Sequence, residues 1–430
     1  MIDVAEIFLW NTRIGMVRQS DPDRAAVFEY DRDFLRSGVE VSPIVMPLSD
    51  RLYSFPGLNN DTFHGLPGLV ADSLPDAFGN AVINSWLAKH GRTPESFTAI
   101  ERLCYMGKRG MGALEYVPAI STEASDGEVD LNDMVELASA ILSGRESAVL
   151  SEKEASLARL IEIGSSAGGA RAKAVIDWNR ATGEIRSGQA LSDQNFEQWI
   201  IKFDGVDKNG DRGISDEAQH TRVEYAYYLM AGDCGVDMEE CRLLNLDGRA
   251  HFMTKRYDRG SVGKIHVQTL GALAHLDYNV PRCCSYEEYA NYARRLGVDP
   301  DEMRQIFIRA AFSVAAVNCD DHVKNFSFRM GRNGAWSITP AYDVTFAYAP
   351  SNRWLSSHQM TINGKSSEIT LEDLLTFGRR IELPAKFCKD AVGRVLDVVC
   401  KWMDYAERAG ISEDRASAVS GVLRTQTAVR

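Results

Sequence analysis

The stretch Asn318-Cys319-Asp320-Asp321-His322-Val323-Lys324-Asn325-Phe326-Ser327-Phe328 decides the reading of this 430-residue chain. It crowds carboxylates, an imidazole, an ammonium and a carboxamide together directly after a long apolar helical pattern at 301–317. Eighteen residues past Asn325 stands another isolated acid, Asp343, within Pro340-Ala341-Tyr342-Asp343-Val344. An Asp, an Asn five residues on and a later Asp at a strand end form the layout that phosphoryl transfer uses. Asp320 is the candidate catalytic base, placed to take or orient the proton of a substrate hydroxyl. Asn325 offers a neutral oxygen and Asp343 a charged one, the hard donors that Mg2+ prefers. His322 and Lys324 are placed to touch phosphate oxygens, although for His322 a structural role is equally compatible. Strands expected at 326–330 and 335–339 make a hairpin around Gly331-Arg332-Asn333-Gly334, which brings the distant carboxylates back to one cleft. Separate capping and turn roles would explain each residue singly, but explain the set poorly.

The parts that phosphoryl transfer needs upstream are also in place. Gly164-Ser165-Ser166-Ala167-Gly168-Gly169-Ala170-Arg171-Ala172-Lys173 puts three glycines within six residues, so backbone N–H groups can approach a polyphosphate and Lys173 can neutralise it. It is not a Walker A loop, because Ala174 follows Lys173 where a magnesium-binding hydroxyl belongs. In isolation such a loop is more often a flexible connection. Lys202 sits in the apolar strand Ile200-Ile201-Lys202-Phe203 and needs either an anionic partner or an edge position facing water. Glu224, on the next predicted helix, is the nearest candidate partner. The polar, Gly-rich segment 204–218 is expected to be mobile. Within it Asp207-Lys208-Asn209-Gly210-Asp211 is not a calcium loop, since Arg212 holds the glycine position and Ala218 the acid position.

Size and composition bound the rest. A chain this long predicts two or three lobes, and 45% hydrophobic with 25% charged residues is ordinary for a globular protein. A net charge of −12 argues against a surface built to bind nucleic acid over its whole extent. The eight cysteines include no CxxC pair, so they read as reduced thiols, and a zinc site is not expected. No signal pattern and no apolar run near eighteen residues is present, so the expected location is cytoplasmic, with no membrane partner.

Short β-like runs at 4–10, 14–19 and 26–30 predict a small antiparallel sheet, followed by loop at 52–75 and helices starting near Ser73 and Pro94. The acidic segment 121–130 is the best linker, and an amphipathic helix follows at 131–143. Strands are expected at 174–178, 199–203, 242–246 and 250–257, with a helix from His220 to Gly232 among them. From about 285 the pattern is helical (286–296, 301–317, 370–378, 387–408 and 412–427), interrupted only by the two hairpin strands. The expected fold is α+β and bilobal, protein-kinase-like, with an extra N-terminal β-rich and helical subdomain and a large helical C-terminal lobe. The expected divisions are 1–150, a small lobe with its Gly-rich loop at 151–258, and a large lobe with the catalytic loop at 259–430.

Taken together these residues resemble the HipA family of bacterial serine/threonine kinases, the toxin halves of toxin–antitoxin pairs. The resemblance spans nearly the whole chain. It is carried by the N-terminal β-rich segment, Gly65-Leu66-Pro67, Asp72-Ser73-Leu74-Pro75-Asp76, the 165–173 loop, Ile201-Lys202, Lys255-Arg256-Tyr257-Asp258-Arg259, the Asp-x-His-x-Lys-Asn loop and Tyr342-Asp343. It implies Mg-ATP chemistry with Asp320 as base and Asn325 and Asp343 as Mg2+ ligands. It implies phosphate binding by Ala167, Gly168, Gly169, Ala170, Arg171, Lys173 and Lys202, and a hinge for adenine at Lys255, Arg256 and Tyr257. The family usually carries an acid where Lys255 stands; because a hinge binds adenine through backbone groups, that departure costs little. The resemblance further implies autophosphorylation of Ser166, where roughly −1.5 to −2 charges beside the ATP phosphates should eject the loop. It implies a HipB-like helix-turn-helix antitoxin as partner, DNA contacted mainly through that antitoxin, and a protein substrate of the aminoacyl-tRNA synthetase class. Two rivals remain open at this point: a catalytically weak kinase-fold co-repressor, and a small-molecule or lipid kinase. No basic amphipathic stretch favours the lipid version.

Overall fold

The structure is a computed structural model that describes residues 2–120, 130–143, 160, 171–188, 195–206, 219–261 and 263–426. Most of the expected linker, the glycine-rich residues 164–170 and the 207–218 part of the segment expected to be mobile lie outside the described residues. The chain divides into two compact units. One comprises Met1–Val39, Leu48–Thr221 and Glu240–His266; the other comprises Glu40–Pro47, Arg222–Glu239 and Val267–Arg430. The expected division near 150 therefore falls inside the first unit.

Among the described residues, the first unit holds a four-stranded sheet, a five-stranded sheet and a two-stranded hairpin. Strands β1 (Val4–Leu9), β2 (Thr12–Arg18), β3 (Val27–Tyr30) and β4 (Leu114–Val117) pair antiparallel in the order β3-β2-β1-β4. Alternation along β1 turns Ala5, Ile7 and Leu9 inward. The fourth strand was not expected: four residues ending at a proline carry too little periodicity to stand out. Helices α1 (Ala77–Lys89) and α2 (Ala99–Met106) lie between β3 and β4, and α3 (Leu131–Ser143) follows β4. Pro94 begins only a short 3-10 turn; α2 starts later, at the Thr98–Glu101 capping box, which satisfies two end donors reciprocally.

The second sheet is built from β5 (Lys173–Trp178), β6 (Ile185–Ser187), β7 (Glu197–Lys202), β8 (Cys241–Leu246) and β9 (Arg249–Lys255), ordered β6-β5-β7-β9-β8. Its Ala174, Ile176, Trp199, Ile201 and Met253 share one hydrophobic core with Phe78 and Val82 of α1, Tyr105 of α2 and Met134 of α3. Each such fully buried large side chain contributes roughly 1.5–3 kcal/mol. By strand alternation, Lys173, Val175 and Asp177 of β5 and Gln198, Ile200 and Lys202 of β7 lie on the opposite face. A short hairpin, β10 (Arg259–Gly260) and β11 (Gly263–Lys264), closes the unit.

The second unit is mostly helical. It contains α4 (His220–Cys234), α5 (Tyr286–Arg295), α6 (Glu302–Ala315), α7 (Leu371–Arg380), α8 (Ala385–Val399), α9 (Trp402–Arg408) and α10 (Glu413–Gln426). Every residue of α6 from Ile306 to Ala315 is buried, as expected for a helix surrounded by others. The single helix expected at 387–408 is two: α8 stops at Val399, and α9 starts at Trp402, whose buried indole N–H donates to Ala416 O at 2.8 Å. The unit has more strand than the sequence pattern suggested. β12 (His266–Thr269) joins β14 (Ser327–Met330) and β15 (Trp336–Ile338) in the order β12-β14-β15, and β13 (Cys284–Ser285) pairs in parallel with β16 (Met360–Thr361). The expected hairpin is present in register Phe328↔Ile338. Among the described residues no helix is long and apolar enough to cross a membrane.

Candidate active site

Helix α6 delivers the 318–325 loop by an abrupt stop. The N–H of Asn318 donates to Ser313 O (2.9 Å) and that of Val317 to Val314 O (3.4 Å), with Val317 left-handed at φ 53°. This is a Schellman end, with a β-branched residue where glycine is usual. Holding valine there costs of order 1–2 kcal/mol, so the surroundings must impose it. They do so from two sides: Tyr227 of α4 donates its hydroxyl to Ala316 O (2.6 Å), and Cys319 N–H donates to Ala347 O (2.9 Å).

Within the loop, Asn325 is fixed twice, by its N–H on His322 O (2.8 Å) and its Nδ2 on Asp320 O (2.7 Å). Committing the amide nitrogen to the loop leaves Oδ1 as the end able to meet a cation. Asp320 keeps 40% of its side chain exposed, with Oδ1 3.7 Å from His322 Nε2. Lys324 N–H donates to His322 Nδ1 (3.3 Å), which puts the neutral ring's proton on Nε2, facing Asp320. The Lys324 ammonium lies over the Tyr278 ring, 5.1 Å from its centre.

Asp343 is the second strained residue, left-handed at φ 52°. Its neighbour Tyr342 donates to Lys324 O (2.8 Å) and lies 2.5 Å from Ser327 Oγ, so the Tyr-Asp pair is tied to the loop it faces. Asn325 and Asp343 line one cleft, whose floor includes Arg309, Asn318 and Asp321. Arg309 Nε and Asn318 Oδ1 are buried there without a hydrogen-bond partner among the described residues. Burial lowers the Arg309 pKa.

Asp321 anchors the loop. It is 1% exposed and accepts from Tyr286 Oη (3.0 Å), His358 Nδ1 (2.9 Å) and Gln359 N–H (2.7 Å). Burial, then the Asp321 charge, pushes the Tyr286 hydroxyl well above its ordinary range. Burial likewise raises the Cys319 thiol, helped by Asp321 and Asp320. No spacing rule could have found these partners, which come from α5 and from the segment before β16.

In the first unit, Lys173 and Lys202 are directly opposite each other on β5 and β7, and only 4% and 5% exposed. β7 is interior to its sheet, which rules out a solvent-facing edge lysine. The Lys202 ammonium also lies 5.7 Å from the Phe252 ring centre. Glu224, its expected partner, is a buried residue of α4 in the second unit. Of the glycine-rich set, Arg171 and Lys173 are described, while Ser166, Ala167, Gly168, Gly169 and Ala170 are not.

Among the expected hinge residues 255–257, two side chains are engaged with neighbouring acids. Lys255 Nζ pairs with Glu197 (2.9 Å), and Arg256 is fully withdrawn into a bidentate pair with Asp258 (2.9 and 2.7 Å). Their N–H groups are bonded to Glu240 O and Gln198 O (2.9 and 3.0 Å). Beside them, burial raises the Asp177 carboxyl to about 6, against the pull of Gln198, Arg256 and Arg259.

A five-stranded sheet with a lysine on its central strand, followed by a helical unit that carries the Asp320–Asn325 loop, is the layout of a kinase-like α+β protein, and comparison with known proteins agrees. The HipA-like C-terminal domain model matches residues 165–406 and the HipA N-terminal domain model residues 5–117. The chain belongs to the HipA family. It is similar to HipA of Shewanella oneidensis, solved with HipB and its operator DNA, at TM-score 0.68 and 16% identity, covering 99% of this chain and 96% of that one. A putative kinase, Y4dM of Sinorhizobium fredii, is 22% identical over 222 residues, 46% of this chain and 50% of that relative, so the match spans half the relative's length. The Helicobacter pylori proinflammatory kinase CtkA covers 54% of the chain at 11% identity and TM-score 0.30, too slight a likeness to argue from.

Proposed function

We propose that this chain is a Mg-ATP-dependent serine/threonine protein kinase and the toxin of a toxin–antitoxin pair, restrained by a HipB-like helix-turn-helix antitoxin through which it meets DNA. The observation that carries the reading is Asn325 and the strained Asp343 lining one cleft, in the loop system that also presents the exposed Asp320. The donor chemistry suits magnesium: one amide oxygen and one carboxylate, hard ligands both. Among the described residues no group of three His, Cys, Asp or Glu could hold a metal unaided, which suits an ion that arrives on a nucleotide. Bound there, Mg2+ would neutralise charge on the phosphate oxygens.

The chain's own residues do the rest. Lys173 and Lys202 bring two buried ammonium groups to one rung of the sheet, a charge density that polyphosphate oxygens suit. Asp320 takes the proton of a seryl or threonyl hydroxyl as that oxygen bonds to the γ-phosphorus and the bond to ADP breaks. The substrate we infer is a translation protein of the aminoacyl-tRNA synthetase class, with autophosphorylation at Ser166 as an off-switch. Incubating the native chain and Asp320→Asn with γ-labelled ATP, Mg2+ and a cell extract tests the reading. Labelled protein with the native chain alone is expected, and mass spectrometry should find phosphate on Ser166. No transfer by either form would favour a co-repressor that has lost catalysis.

A further inference from the structure

The segment 107–112, between α2 and β4, makes contacts that neither the fold of its own sheet nor the proposed chemistry requires. Asp258 follows the expected hinge residues 255–257 and is 0% exposed. Its carboxylate accepts from Arg256 Nε and Nη2 (2.9 and 2.7 Å), Arg259 Nη1 (2.6 Å) and the Gly112 N–H (2.7 Å). Burial opposes ionisation, yet the two guanidinium groups and this N–H outweigh it and hold the carboxyl well below its ordinary range. Arg259 Nη1 also donates to Gly112 O (3.2 Å), and Arg259 and Arg256 reach Gly110 O at 3.4 and 3.5 Å. On the far side of the β10–β11 hairpin, Lys264 Nζ binds Lys108 O (2.6 Å) and Glu115 (2.9 Å). Gly107 and Gly112 are left-handed, at φ 51° and 76°, and this backbone course presents both the carbonyls and the N–H.

A plain turn after β9 needs no such arrangement. A carboxylate saturated by two arginines fixes direction as well as position, because bidentate guanidinium geometry is rigid. Every donor to Asp258 belongs either to residues flanking 257 or to the N-terminal segment. We propose that the 107–112 segment, acting through Asp258, is a positioning device for the nucleotide hinge, so that the N-terminal domain contributes to ATP affinity without touching the nucleotide. This inference rests on the kinase reading and on 255–257 as its hinge.

The test uses the full chain with Mg-ATP, and two variants. Asp258→Asn removes the charge at constant size. Arg259→Lys keeps the charge but cannot span Gly110 O and Gly112 O together. A positioning role predicts KM for ATP raised about tenfold in Asp258→Asn and less in Arg259→Lys, with kcat within about threefold, the signature of lost uniform binding. Hydrogen exchange adds a readout that simple scaffolding would not move: ATP should slow exchange of the Gly112 amide in the native chain, by reciprocity of coupling. Native KM in a variant with a native melting curve overturns the proposal, and if Asp258→Asn does not fold, Arg259→Lys decides. A native chain that binds no ATP would instead bring down the kinase reading, and this proposal with it.

Discussion

The two regions that carry the proposed chemistry hold their side chains in opposite ways. On the first unit's sheet, Lys173 and Lys202 are placed by regular register, and no backbone strain is needed to bring them side by side. In the second unit, Asp320, Asn325 and Asp343 sit on irregular backbone flanked by two left-handed residues, Val317 and Asp343, over a buried carboxylate that stitches three segments together. Register is cheap and tolerant. A strained loop is held only by what surrounds it, so there function and stability are coupled.

That contrast can be broken or sharpened by substitution. The largest effect on rate is expected from Asp320→Asn: loss of a general base should cost about 10²–10⁴-fold in kcat. Its side chain is 40% exposed, so the melting temperature should stay within a degree or two of native. Asp321→Ala should do the reverse of a clean active-site change. It strands Tyr286 Oη, His358 Nδ1 and the Gln359 N–H, at roughly 1–3 kcal/mol for each buried group left unmet. Thermal unfolding should show a large drop, and kcat should fall with it; a stable Asp321→Ala protein would dissolve the claimed coupling. Lys202→Met should raise the Kd for Mg-ATP by about tenfold or more, about 1.4 kcal/mol, read by calorimetry. The smallest effect belongs to Lys255→Ala. Its half-exposed pair with Glu197 is worth less than about 1 kcal/mol, and its N–H serves the sheet, so KM for ATP should change less than about twofold.

The same contrast explains what the sequence could disclose. Lys202 stood out because an ammonium among Ile200, Ile201 and Phe203 is conspicuous, although its interior position came only with the sheet order. Asp320, Asn325 and Asp343 were legible because a short loop and one hairpin connect them, and local sequence dictates both. Asp321 was not legible: a buried carboxylate is defined by its donors, and these lie 35 to 38 residues away in elements with no shared spacing. The full partner set of the Arg256 side chain was hidden for a related reason. Its guanidinium is held by Asp258, two residues on, and by the Gly110 carbonyl, 146 residues distant, and no local pattern announces the second. Strands β4 and β12 are four residues each and gain stability from neighbours rather than from their own pattern.

Asn325 and Asp343 are the pair proposed to hold a metal ion on the nucleotide, and ATP binding measured with and without Mg2+ tests this directly. The native chain should bind ATP at least about tenfold more tightly with Mg2+ than with a chelator present, and Asp343→Asn should lose most of that gain while remaining folded. Equal Mg2+ dependence in the native chain and in folded Asp343→Asn would contradict the assignment.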